Sequence, residues 1–230
     1  MLAMLALAGF TAYTFWFKDS SFVEVRNVEI SGLEGGETEA IEKALTRAAS
    51  EMTTLNFDRE RLERAVKDYV SVKSLKVETS FPRTVRIKVE ERRPALVAKV
   101  RGGGPGIPVS AEGLLMPSSS VKSKSKLPVL KLTSVPSGDR LEGNDLARAR
   151  VLAEAPDPLV PLITGTGYDD QYGVVVELHG GIPVRFGDQS QADLKWASAA
   201  AVLSDPRLTR LTYLDVRAPE RPAVGGATPA

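Results

Sequence analysis

Between Val70 and Val97 the chain reads VSVKSLKVETSFPRTVRIKVEERRPALV, two alternating stretches joined by a corner. Leu75, Val77 and Thr79 share one phase, and Lys76, Glu78 and Ser80 the other. After the corner Val85, Ile87 and Val89 alternate with Arg86, Lys88 and Glu90. A period of two predicts strands with one buried and one wet face. Phe81-Pro82-Arg83 supplies the corner, because Pro fixes φ and pushes the preceding residue out of the helical region. Upstream, Phe22–Ser31 reads as another strand, but Val23 and Val25 share one phase and Val28 and Ile30 the other. A bend or bulge near Asn27 would reconcile them. Two helices are predicted in between. Ile41, Ala44, Leu45 and Ala48 form one apolar stripe, and Leu62, Ala65, Val66 and Tyr69 repeat the spacing behind Asp58 as N-cap. Both stripes read as core.

Beyond Pro94 the pattern is strand-rich. Ala95–Val100, Ile107–Val109 and Leu127–Leu132 predict strands, and SSSVKSKSK over Ser118–Lys126 a basic loop. Gly173–Leu178 and Ile182–Phe186 predict a hairpin through His179-Gly180-Gly181. Helices are predicted over Asp145–Glu154 and over Ala192–Leu203, the latter apolar on most sides and so largely buried. Leu211–Arg217 is expected to be the last strand, with a Pro-, Gly- and Ala-rich tail behind it that is disordered over 225–230. The fold class expected is α+β: a strand–helix–helix–strand–strand domain over 22–91, then a mainly antiparallel β domain with packed helices over 92–224.

The first seventeen residues, MLAMLALAGFTAYTFWF, carry no charge. As a helix they would span about 25 Å, near the lower limit for crossing a bilayer. Tyr13, Phe15, Trp16 and Phe17 sit where an interfacial aromatic belt would lie. A cleaved signal peptide needs a basic start and small residues at the cut; bulky aromatics stand there instead. A buried core helix is the other reading, unusual for so uniformly apolar a terminus. The expectation is a transmembrane anchor over 1–17. Lys18 is its only flanking cation and does not fix the orientation.

Composition narrows the chemistry. The 230 residues have room for one or two domains, 43% are hydrophobic, and the net charge is +1, which gives no global field for nucleic acid. The chain has no cysteine, which excludes a disulfide framework and thiol nucleophiles. His179 is the only histidine and reads as a turn residue; Asp169-Asp170 and Glu90-Glu91 are isolated pairs that read as surface charge. Gly102-Gly103-Gly104-Pro105-Gly106 precedes a strand rather than the helix a phosphate cradle needs. No catalytic, cofactor-binding or metal-binding residue is expected. Arg83, Arg86, Lys88, Arg92 and Arg93 give the hairpin a basic wet face: either a solvated strand face or a docking surface for an acidic partner or lipid head groups.

Four segments carry a resemblance. FVEVRNVEISGLE, SVKSLKVETSFPRTVRIKVEERRPAL, KWASAAAVLSD and LTYLDVRAPERPAVGG resemble, in that order, the FtsQ/DivIB family of bacterial cell-division proteins. The most specific piece is FP-x-x-x-x-I-x-V-x-E-R-x-P, from Phe81 to Pro94. The order strand–helix–helix–strand–strand is that of a POTRA module, and IPVSAEGLLMP resembles the family's short hairpin with Glu112-Gly113 as its turn. The resemblance implies a non-enzymatic, single-pass scaffold of the cytoplasmic membrane, enriched at the septum, with its C-terminal domains outside. Its implied partners are FtsB-like and FtsL-like division proteins, and through them septal wall synthesis. It places partner binding on Leu211, Thr212, Tyr213, Leu214, Asp215, Val216 and Arg217, by strand addition to a sheet edge; the bland alternative for these residues is an ordinary core strand. Two rival functions fit the pattern less well. A POTRA-bearing translocation or outer-membrane assembly component carries a barrel of long alternating strands, for which this chain leaves no room. An extracytoplasmic hydrolase needs a catalytic constellation, and none can be assembled.

Overall fold

The computed structural model describes residues 23–119, 126–208 and 210–226; the apolar start, expected as the anchor, lies outside them. Among the described residues no helix is long and apolar enough to cross a membrane. The chain divides into two units, Met1–Arg92 and Arg93–Ala230.

In the first unit, β1 (Asn27–Ser31), β2 (Val72–Ser80) and β3 (Thr84–Glu91) form one sheet in the order β1-β3-β2. β2 and β3 are the antiparallel hairpin that the alternation predicts, with Leu75 opposite Val89 and Val77 opposite Ile87. Val85, Ile87 and Val89 are at most 2% exposed. They pack against Ile41, Leu45, Ala48 and Ala49 of α1 (Thr38–Ser50) and Leu62 of α2 (Arg59–Ala65). The carboxylate of Asp58 caps α2, accepting the Arg61 N–H at 3.3 Å. The phase conflict in the first strand is settled by two different partners. β1 begins only at Asn27 and runs parallel to β3. Residues before it follow the α1–α2 connection instead: the Val25 N–H donates to Met52 at 3.1 Å, and the Thr54 N–H to Val23 at 2.8 Å. Val23 and Val25 are therefore as buried as the hairpin valines.

The wet face of this hairpin is mixed rather than basic. Arg86 pairs with Glu29 at 2.8 Å and Lys73 with Glu90 at 3.3 Å. Arg92 is spent on the backbone, donating to the carbonyls of Val70 and Val72.

In the second unit, β4 (Pro94–Val100), β5 (Ile107–Ser110) and β6 (Val129–Leu132) form a three-stranded sheet in the order β5-β4-β6. The turn at Glu112-Gly113 needs Gly, whose φ is +85° and whose β-carbon would strike Leu146. A five-stranded sheet holds β7 (Ile163–Asp169), β8 (Gly173–Leu178), β9 (Ile182–Gly187), β10 (Tyr213–Asp215) and β11 (Ala223–Gly225), in the order β11-β10-β9-β8-β7. The sequence pattern does not predict β7. In ITGTGYD, Gly165 and Gly167 erase the alternation on one face, and only pairing with β8 makes it a strand.

Helix α3 (Gly143–Ala153) serves both sheets: Ala149 and Leu152 face the smaller core and Val151 the larger. Helix α4 (Ala192–Leu203) covers the five-stranded sheet, with Trp196 at its centre. α4 is less buried than expected: Leu194 is 50% exposed, because a helix lying on a sheet hides only one face. Its one cation does the opposite. Lys195 is 3% exposed, and its ammonium donates to the Asp188 carbonyl at 3.0 Å and carboxylate at 2.9 Å, tying the β9–α4 turn to the helix.

Two outcomes test these assignments. Ile87→Asp should unfold the first unit, since a buried unpaired charge costs several kcal/mol, whereas Arg86→Ala gives up only an exposed pair and should cost under about 1 kcal/mol in a denaturant melt. Equal effects would mean the strand phase is misassigned. In the second unit, hydrogen bonds from Ser190 and then Lys195 hold the Asp188 carboxyl down at about 2, against 3.8 ordinarily. Its stabilisation is therefore complete above the ordinary value and is lost as pH falls toward 2. Asp188 is largely exposed but its partner Lys195 is buried, so Asp188→Ala, which leaves that ammonium only the backbone carbonyl, should cost about 1–3 kcal/mol near neutral pH. The gap between variant and parent melts should close in acid; a gap that persists there would dissociate it from the Asp188 charge.

Candidate functional site

Leu211–Arg217 does not form one long strand. Only Tyr213–Asp215 is β10, and it is paired on both sides. It runs parallel to β9, with Leu214 beside Val184 and Asp215 beside Arg185, and antiparallel to β11, with Tyr213 beside Gly225 and Asp215 beside Ala223. The Thr212 N–H donates to Gly225 at 2.9 Å before the strand, and the Val216 N–H to Arg185 at 3.0 Å after it. The strand expected to be last is thus interior, and β11 takes the sheet edge. Gly225, expected to open a disordered tail, belongs to β11; residues 227–230 lie outside the described ones. Three residues of Ala, Val and Gly behind Pro222 hold no alternation from which a strand could be read.

The two faces of β10 differ in chemistry. Leu214 and Val216 are fully buried against α4, while Leu211 is half-buried and Thr212 exposed. Tyr213 and Asp215 point to the other face. There the Tyr213 ring lies across Gly225, where a β-carbon would come within 2.1 Å of its Cε1. The Arg185 guanidinium stands 4.3 Å from the centroid of Tyr213 and 3.7 Å from that of Tyr172, with Arg217 5.4 Å from Tyr172. Such stacking is attractive, because the ring face is electron-rich. Arg217 grips Asp215 through two prongs, Nη2 to Oδ2 at 2.7 Å and Nε to Oδ1 at 3.0 Å, and its own N–H adds a third bond to Oδ1 at 3.1 Å. Burial pushes the Asp215 carboxyl up, but the side-chain and backbone bonds from Arg217 outweigh it and hold it below the usual range.

The structure therefore brings Tyr213, Asp215 and Arg217 together with two residues that sequence reasoning missed. Arg185 comes from β9 and Tyr172 from the β7–β8 turn. The β9–β10 pairing is a parallel crossover through α4, and no local spacing announces it.

The other groups considered for chemistry have structural tasks. Asp169 accepts the Gln171 and Tyr172 N–H groups at 2.8 and 2.9 Å, closing its own turn. Glu91 accepts from Glu34 and Gly35. His179 sits in the β8–β9 turn, its backbone N–H donating to Leu162 at 2.7 Å. Among the described residues no group of three His, Cys, Asp or Glu could hold a metal ion.

Two family models match this chain in tandem. The FtsQ-type POTRA domain matches residues 23–92, and the C-terminal domain of cell division protein FtsQ/DivIB matches 98–217, more than half of the chain. The chain belongs to the FtsQ/DivIB family. It is similar to cell division protein FtsQ of Streptomyces coelicolor, 26% identical over 242 residues that cover 98% of this chain and 86% of that protein. It is also similar to cell division protein FtsQ of Streptomyces griseus, 27% identical over 216 residues, covering 90% of this chain and all of that protein. FtsQ/DivIB is a family of cell-division proteins, and membership gives this chain a role in the divisome. The FtsQ/DivIB match ends at Arg217, so β11 lies just beyond it.

Proposed function

We propose that this chain is a single-pass scaffold of the cytoplasmic membrane, anchored by residues 1–17 with both units outside, which catalyses nothing and links early to late division proteins. Its partners are FtsB-like and FtsL-like proteins, and its output is the free energy of holding them where septal wall is made. The observation that carries this reading is the open side of β11, the terminal strand of the five-stranded sheet. A sheet edge offers unpaired N–H and C=O groups to an incoming strand.

Backbone alternation indicates which residue would make the contact. The Val216 bond to Arg185 turns Leu214 and Val216 toward β9, so Tyr213 and Asp215 face β11. Within β11, Ala223 and Gly225 answer them, which leaves Val224 to present its backbone outward. The segment Leu211–Arg217 then acts as the second row. Tyr213 holds β11 down across Gly225, and Arg185 and Arg217 place cations behind the edge.

Pull-down of the FtsB-like protein of the same bacterium tests this. Val224→Pro removes the outward donor and should abolish capture. Tyr213→Ala should weaken it by about 1–3 kcal/mol, as loss of an aromatic anchor does. Thermal melts must show that both variants stay folded; folded variants that bind normally would move the docking strand elsewhere. The anchor is checked separately: the chain should resist carbonate extraction from membranes, and a soluble form starting near Lys18 would overturn it.

A further inference from the structure

Lys99 and Lys131 are direct register partners on the parallel strands β4 and β6, so their side chains leave the same face of the sheet side by side. Arg101 follows two residues after Lys99, and Lys126 precedes β6. Among the described residues none of these four cations has a carboxylate within ion-pair distance. Like charges opposed across neighbouring strands destabilise a sheet. A local rule broken with no neutralising carboxylate marks a surface open to another role.

All four line a groove of about 980 Å³ between β6 and β7, the facing edges of the two sheets, which are not paired to each other. Side chains occupy both edges there. The Lys131 ammonium donates to the Thr164 carbonyl at 3.2 Å, and Arg148, already neutralised by Asp145, donates to the carbonyls of Lys131 and Thr166 at 3.3 and 3.2 Å. The Thr166 hydroxyl, buried and without a hydrogen-bond partner, belongs to the same lining. Apolar surface runs along the groove at Val129, 37% exposed, and at half-buried Ile163.

We propose that this groove is a second docking site, distinct from the β11 edge, and that it takes an extended acidic segment of a partner protein that also carries apolar residues. Carboxylates of such a segment would meet Lys99, Lys131 and Arg101 and remove their mutual repulsion. Val129 leaves the same face of β6 as Lys131, two residues earlier, so apolar residues beside those carboxylates would cover it, with Ile163 across the groove. A bilayer is too flat to follow a recess between two sheet edges, so lipid head groups are a poorer fit.

The test uses the full chain in detergent micelles and a fluorescent acetylated peptide of four Glu–Val repeats, read by anisotropy at low salt. Lys99→Glu with Lys131→Glu should cut affinity by about tenfold or more, whereas Lys43→Glu, an equal kind of charge change on α1, should leave it within about twofold. A peptide of four Gln–Val repeats, which lacks only the charge, should bind about tenfold more weakly. Val224→Pro should leave peptide binding unchanged, which separates this site from the β11 edge. Lys131→Glu also gives up the bond to the Thr164 carbonyl, so the double variant is melted first; if it is not folded, Lys99→Gln with Lys131→Gln replaces it, with the same loss expected. Equal binding of the Gln–Val peptide, or an equal loss with Lys43→Glu, would overturn the proposal. So would binding to phosphatidylglycerol vesicles, lost in the double variant, with none to the peptide.

Discussion

The indole N–H of Trp196 donates to the carbonyl of Val151 at 2.7 Å, inside the second unit. A fully buried donor left without an acceptor would cost about 1–3 kcal/mol, so this bond fixes where α4 can lie relative to α3. Val151 is in the last turn of α3, and its neighbours Ala149 and Leu152 fill the core under the small sheet. The same indole ring packs on Phe186 of β9 with centroids 4.8 Å apart. One side chain thereby couples the five-stranded sheet, both helices and, through α3, the three-stranded sheet. The position of β6 beside β7, and hence the groove between them, follows from this coupling.

A sheet that does not close has two edges, and this unit treats its edges differently. At β7 the carbonyls of Thr164 and Thr166 are met by Lys131 and Arg148. Side chains there stand in for a strand, a familiar defence against unwanted pairing. At the other end β11 spans only three residues, flanked by Pro222 and by Gly226 with φ of +73°. It is too short to invite indiscriminate pairing. It is held in place by Val224, which packs on the larger core, and by the Tyr213 ring across Gly225; Ala223 and Gly225 contribute almost no side chain. On the proposed reading such an edge would be specific because it is weak alone: backbone pairing would have to be supplemented by contacts with the residues behind it.

Legibility in the sequence followed the length and self-sufficiency of each pattern. The β2–β3 hairpin spans two runs of eight and nine residues with one clean phase, and its buried valines and Ile87 could be named in advance. The stripe of α1 and the Asp58 cap are local too, so they were readable. Val23 and Val25 were seen to clash in phase with Val28 and Ile30, but the cause is tertiary: two different partners, one a loop. β7 was invisible because its glycines carry no side chain to alternate. Leu194 was misjudged because composition shows how apolar α4 is, not how much of the sheet it must cover. In the candidate site Tyr213, Asp215 and Arg217 were visible as a motif. Arg185, Tyr172 and β11 were not, since each reaches the site through a crossover or a turn.

On the proposed reading, the same asymmetry lets a strand motif point to a site without being its contact surface. Asp215 and Arg217 satisfy each other through two prongs and a backbone bond, and Leu214 and Val216 are spent on the core. Of the seven residues, Thr212, Tyr213 and the stem of Arg217 reach across their neighbours, over Gly226, Gly225 and Gly187 respectively. These glycines leave room that any side chain would fill, so the motif and its glycines form one unit. The pattern Tyr-Leu-Asp-Val-Arg therefore builds a rigid row, and the short strand laid against it inherits its position.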